Sequence, residues 1–143
     1  MNARAMKKLP ALCLVLAVGM AHAERPPLQG KKLAGETVKI LGQLDPLVLS
    51  GAGLSSAGPT VYYRSFLNPL QAALDKWPTS FDPEARTWGD YLYCRDALSM
   101  LQTIGMGQEN GSGNSHYAKR VSEYKRILGK CRSASKLSPE QVQ

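Results

Sequence analysis

Behind one apolar run at the N-terminus, interrupted only by Pro10 and Gly19, hydrophobic positions recur at helical spacing in several separate stretches. Val38, Leu41, Leu44 and Val48 lie three or four apart, the period of one helix face. Thr37-Val38-Lys39-Ile40 also alternates with period two, so a strand over residues 35–50 stands as the alternative to a helix. Asp45-Pro46 interrupts the stretch. Asp suits an N-cap and Pro the first helical position, so one helix is expected to end there and another to begin. Asn68-Pro69 repeats the signal and opens a helix through Leu70, Ala73, Leu74 and Trp77 that Pro78 ends. Asp82-Pro83 gives it a third time and begins at most one turn, and Thr87 with Asp90 three residues on resembles a capping box.

The strongest helix is expected from Trp88. Tyr91, Cys94, Leu98 and Leu101 form its stripe, which Tyr93, Ala97, Met100 and Ile104 widen to about half the circumference. So wide an apolar face predicts a helix packed on two sides, central to the domain. Gly105-Met106-Gly107 should end it, leaving GQENGSGN as a solvent loop. A last helix from near Ser115 carries Tyr117, Val121, Tyr124, Leu128 and Cys131 as a clean seam. The fold class expected is all-α: a small bundle of about four helices over residues 35–134. An extended lead-in (24–34) precedes it and a flexible tail (135–143) follows. Residues 50–59, rich in Gly, Ser and Ala, read as a connector.

The N-terminal run changes what the rest means. Arg4, Lys7 and Lys8 precede an apolar run over residues 9–20 that ends in Ala21-His22-Ala23. Basic start, short apolar centre and small-x-small exit are the parts of a secretory signal, here 1–23. The run is too short for a hydrocarbon core of ~30 Å, which needs roughly 20 residues. Cleavage after Ala23 would leave 120 of the 143 residues, a length suited to one domain, in the periplasm or secreted. The formal charge then falls from +7 to +4, fifteen basic residues against eleven acidic. Export also removes nucleic acid as a partner, and no later stretch is apolar enough for stable membrane insertion.

Removing Cys13 with the signal leaves Cys94 and Cys131, which in an exported chain read as one disulfide. The geometry agrees. The turn between the last two helices centres near residue 110 or 111 and the cysteine midpoint falls between 112 and 113, an axial mismatch of about 6 Å. Both cysteines also sit on the facing apolar seams, so the bond should staple the C-terminal hairpin.

Candidate chemistry is thin. With one histidine, His116, left after signal cleavage and the two remaining cysteines paired, no metal site or cofactor is expected. GAGLSSAG fits neither a GxSxG nucleophile loop nor a phosphate-binding loop. Asp82, Glu84, Asp90 and Asp96 lie close in sequence and raise a glycosidase-type carboxylate pair. Asp82 and Asp90 occupy cap positions, however, and Asp96 falls on a polar arc. No catalytic residue is therefore assigned.

Binding residues have more support. The last helix carries Lys119, Arg120, Lys125, Arg126, Lys130, Arg132 and Lys136 against Glu123 alone, either a solvated face or a site for an acidic or anionic partner. Tyr62, Tyr63, Phe66, Trp77, Phe81, Trp88, Tyr91 and Tyr93 cluster in a third of the chain, either core or interface. The residues assigned to partner binding are Tyr62, Tyr63, Arg64, Glu109, Asn110, Lys119, Arg126 and Lys130.

In size, signal, helical plan and cysteine pair the chain resembles the small periplasmic immunity proteins paired with type VI secretion amidase effectors. That resemblance implies an inhibitor of a cell-wall-degrading enzyme. In build it is also similar to small acid-stress chaperones with one disulfide, which implies an envelope chaperone or secretion accessory. A carboxylate enzyme acting on wall sugar or peptide is the third expectation.

Overall fold

The computed structural model describes residues 26–50, 58–109 and 114–142. The expected export signal, Cys13, most of the expected 50–59 connector and residues 110–113 lie outside the described residues. The described elements are α1 (Pro26–Leu49), α2 (Pro59–Tyr62), a π-helical turn (Tyr63–Leu67), α3 (Asn68–Leu74), a 3-10 helix (Pro83–Tyr91), α4 (Leu92–Glu109), α5 (Asn114–Ala134) and a 3-10 turn (Pro139–Gln141). Because α2, the π turn and α3 follow one another without a break, they make one rod. The fold is thus an all-α bundle of four long pieces, and residues 35–49 are helix. The α4–α5 hairpin has the most extensive interface, with α1 laid against both helices and the 3-10 helix.

α1 begins at Pro26, so the expected extended lead-in over 24–34 is corrected from that residue onward. The first turn tolerates prolines because its N–H groups have no intrahelical acceptor. Leu33, Ala34, Thr37, Leu41, Leu44 and Val48 form its buried stripe. The break expected at Asp45-Pro46 does not occur, and Pro46 lies inside the helix. An interior proline costs about 3 kcal/mol. Burial of Leu44 and Val48 on either side, worth about 1.5–3 kcal/mol each, offsets it.

Pro69 is handled differently. The turn before it opens to π geometry, and the Asn68 N–H reaches back to the Tyr63 carbonyl. Widening the turn there relieves the clash between a proline ring and the preceding carbonyls. The expected helix start at Asn68 is therefore the continuation of a rod from Pro59. Its buried side is Tyr62, Phe66, Leu70 and Ala73.

α4 starts at Leu92 rather than Trp88, because a 3-10 helix occupies Pro83–Tyr91. Gly89 adopts φ 51° within it, a left-handed conformation that favours glycine. Thr87 Oγ donates to the Glu84 carbonyl at 2.6 Å, an arrangement other than the expected capping box. At its other end α4 runs through Gly105 to Glu109. A Cβ on Gly105 would lie 2.3 Å from Phe66 Cε1, so this glycine permits close approach of helix to ring instead of ending the helix.

Cys94 and Cys131 are fully buried and disulfide-bonded, with Cα atoms 4.6 Å apart. The staple ties the start of α4 to the end of α5. The tail expected to be flexible folds back in its described part. Ser138 and Gln141 form a capping box, the Tyr91 hydroxyl donates to the Leu137 carbonyl at 3.1 Å, and Val142 packs against the core.

Candidate functional site

Of the residues assigned to partner binding, Tyr62 moves to the core. Its ring is buried, 5.6 Å from the Phe66 ring. Helical spacing explains this correction, since Tyr62, Phe66, Leu70 and Ala73 share the inward face of the rod. Tyr63 is 47% exposed and Arg64 is exposed beside it. Glu109 is the last residue of α4, and Asn110 lies outside the described residues.

Lys119, Arg126 and Lys130 come together on one face of α5, seven and four residues apart. The Lys130 ammonium donates to the Tyr93 hydroxyl at 3.2 Å and sits 4.4 Å from its ring centroid. Arg126 grips Glu123 through Nε (2.8 Å) and Nη2 (2.6 Å). The hydrogen bond from Arg126 holds the Glu123 carboxyl below its ordinary range, with further pull from Lys130 and Lys119. Between this face and α4 runs an open cleft of about 490 Å³, lined by Asp90, Tyr93, Arg126, Gly129, Lys130 and Ser133, among others.

A second surface was not assigned from the sequence. Residues 78–82 form a turn in which the Asp82 N–H bonds to the Thr79 carbonyl at 3.1 Å. Asp82 also caps the 3-10 helix, its carboxylate accepting from the Glu84 N–H at 2.9 Å. Arg95 on α4 holds the other end of the turn, donating to the Pro78 carbonyl at 3.3 Å. Beneath it the buried rings of Trp77 and Trp88 pack 5.6 Å apart, and the Trp77 indole N–H donates to Thr37 Oγ1 at 3.2 Å. At the tip Phe81 is 96% exposed. The sequence signal was present in the bracketing Pro78 and Pro83, but aromatic residues read first as core.

The acidic residues have separate tasks. Asp82 caps, Asp96 pairs with Arg95 at 2.8 Å, Glu84 is exposed and Asp90 lines the α5 cleft. Asp45, half-buried, accepts a hydrogen bond from the Tyr124 hydroxyl. Burial pushes the Asp45 carboxyl above its ordinary range, against the opposing pull of that hydrogen bond and of Arg132. Burial and the adjoining carboxylate likewise push the Tyr124 hydroxyl up, so it stays a donor. His116 is exposed in the first turn of α5. Among the described residues no three His, Cys, Asp or Glu side chains gather as a metal-holding group, and no helix is long and apolar enough to cross a membrane. No protein-family model, curated protein or solved structure matches the chain.

Proposed function

We propose that the chain, after removal of its export signal, is a periplasmic protein-binding module that neutralises a cell-wall-degrading enzyme. The Phe81 turn carries this reading. A phenylalanine held almost entirely in water forgoes about 1.5–3 kcal/mol that burial would supply. The surrounding turn is fixed at both ends by Arg95 and Asp82, so little further ordering is needed when a partner covers it. A projecting aromatic on a fixed turn, with an arginine at its base, has the composition of an interface anchor. Such a convex plug suits the concave cleft of an enzyme better than it suits a flat surface.

The test takes as candidate target a wall-degrading enzyme that the protein retains from a periplasmic extract. Production of that enzyme in the periplasm should lyse cells, and co-production of this protein should protect them. Phe81→Ala should lose protection while accumulating normally. Protection by Phe81→Ala equal to the native chain, or lysis regardless of the native chain, refutes the reading.

For the chaperone alternative the titration signs oppose one another: protonation of Asp45 favours the folded state, whereas protonation of Glu123 disfavours it.

A further inference from the structure

We propose that the outward face of α5, edged by Tyr93, is a docking surface for an acidic protein segment that lays its carboxylates along Lys130, Arg126 and Lys119. This inference rests on the protein-binding reading and names the chemistry of the partner at a second surface.

The first observation is how charge is divided. α5 holds six basic residues and one acidic residue, a net +5, whereas the rest of the chain from Glu24 onward holds nine basic against ten acidic, a net −1. The positive field of the exported chain therefore originates on this helix, and it steers partners of opposite sign.

The second is spacing. At 1.5 Å per residue, Lys130 and Arg126 are about 6 Å apart along the axis and Lys119 lies about 10 Å further on. An extended chain rises about 3.3 Å per residue, so acidic residues two apart match the first pair and a third, three residues beyond, reaches Lys119. Glu123 already shows how this stripe holds a carboxylate, gripped by two nitrogens of Arg126. Asp90 also lines the cleft, which directs an acidic chain toward the Arg126–Lys130 side. The floor is open at Gly129, where an added Cβ would meet nothing within 4 Å.

The third observation selects protein over lipid. A helix that lies on a membrane needs an apolar face to insert. The apolar side of α5, formed by Tyr124, Ile127, Leu128, Cys131 and Ala134, is buried in the bundle. None of the large exposed hydrophobic residues among those described belongs to α5.

The test titrates the isotopically labelled mature protein with a capped hexaglutamate peptide, with phosphatidylglycerol vesicles and with inorganic phosphate. Amide shifts from the peptide should concentrate on Tyr93 and residues 119–133. They should vanish between 0.1 and 1 M salt, as the screening length falls from about 10 to about 3 Å. Lys119→Glu with Lys130→Glu should weaken peptide binding about tenfold or more with only a small loss of thermal midpoint, since the Lys130–Tyr93 contact it removes is exposed. Gly129→Gln fills the cleft without altering charge, and should weaken binding several-fold while leaving the midpoint unchanged or higher. Peptide shifts absent from α5, or unaffected by the charge reversal, overturn the proposal. So does vesicle or phosphate binding that the double variant abolishes where peptide binding is lacking. Phe81→Ala should leave peptide binding intact, so a failed titration alongside Phe81-dependent protection would remove this inference alone.

Discussion

Reducing the Cys94–Cys131 bond should remove a large share of the stability of this domain without changing its fold. The bond closes a sequence separation of 37 residues. On the chain-entropy account such a loop restricts the unfolded ensemble by about 3.8 kcal/mol at 25 °C. Both cysteines are fully buried at the α4–α5 interface, where reduced thiols still pack as small hydrophobic groups. The loss should therefore fall mainly on the unfolded side. For a chain of this length the thermal midpoint should drop by roughly 15 °C. The assay is urea unfolding of the mature protein with and without a phosphine reductant, followed by circular dichroism at 222 nm. The helical signal before the transition should be the same in both. Cys94→Ala with Cys131→Ala should match the reduced protein or fall slightly below it, because two sulfur atoms leave the core. Oxidised and reduced unfolding free energies that differ by less than about 1 kcal/mol would refute the loop-closure reasoning.

Gly105→Ala places a methyl group against the Phe66 ring and should destabilise by about 1–3 kcal/mol in denaturant unfolding; a neutral result would mean that α4 and the rod do not meet there. Phe81→Ala should change the stability of the free protein by no more than about 0.5 kcal/mol, as expected for an exposed side chain. A larger loss in calorimetry would place Phe81 in the core. The raised pKa of Asp45 gives a signed pH effect. Its favourable contribution is complete below the ordinary carboxylate range and is lost as pH rises through the raised folded value. Asp45→Asn keeps an acceptor for Tyr124 and never ionises, so its stability should exceed that of the native chain increasingly as pH rises; parallel stability–pH curves would contradict the assignment.

The elements legible in the sequence are those whose stabilising contacts repeat with the helix period. Cys94, Leu98 and Leu101 on α4, and Tyr124, Leu128 and Cys131 on α5, are all buried, and the staple follows from their registers. Local signals misled where tertiary packing outweighed them. Pro46 and Pro69 are strong breakers in isolation. The first is carried through by the burial of Leu44 and Val48, and the second is accommodated by a π turn. Gly105 carries the same letter as a helix stop, and only the position of Phe66 reveals it as a contact. The tail lacks periodicity because a few specific bonds hold it, such as Tyr91 to the Leu137 carbonyl.

At the candidate site, the alignment of Lys119, Arg126 and Lys130 was readable from spacing alone, whereas their relation to Tyr93 required the hairpin register. Tyr62 reads as a binding residue only while the helix is taken to start at Asn68; once the rod runs back to Pro59, its spacing with Phe66, Leu70 and Ala73 turns it inward. Phe81 belongs to the aromatic cluster that the sequence leaves open between core and interface. Its exposure depends on Arg95 and Asp82 holding the turn away from the core; the Asp82 cap is legible in Asp82-Pro83, but the Arg95 bond to the Pro78 carbonyl has no sequence pattern.

Protein binding through the Phe81 turn is tested most directly by placing a photo-crosslinking amino acid at position 81 and illuminating intact cells that export the protein. The same probe at Lys39, an exposed residue of α1, serves as the reference surface. The account predicts one discrete protein adduct at position 81, identified by mass spectrometry as a wall-degrading enzyme, and none at position 39. No adduct at 81, or the same adducts at both positions, would contradict it.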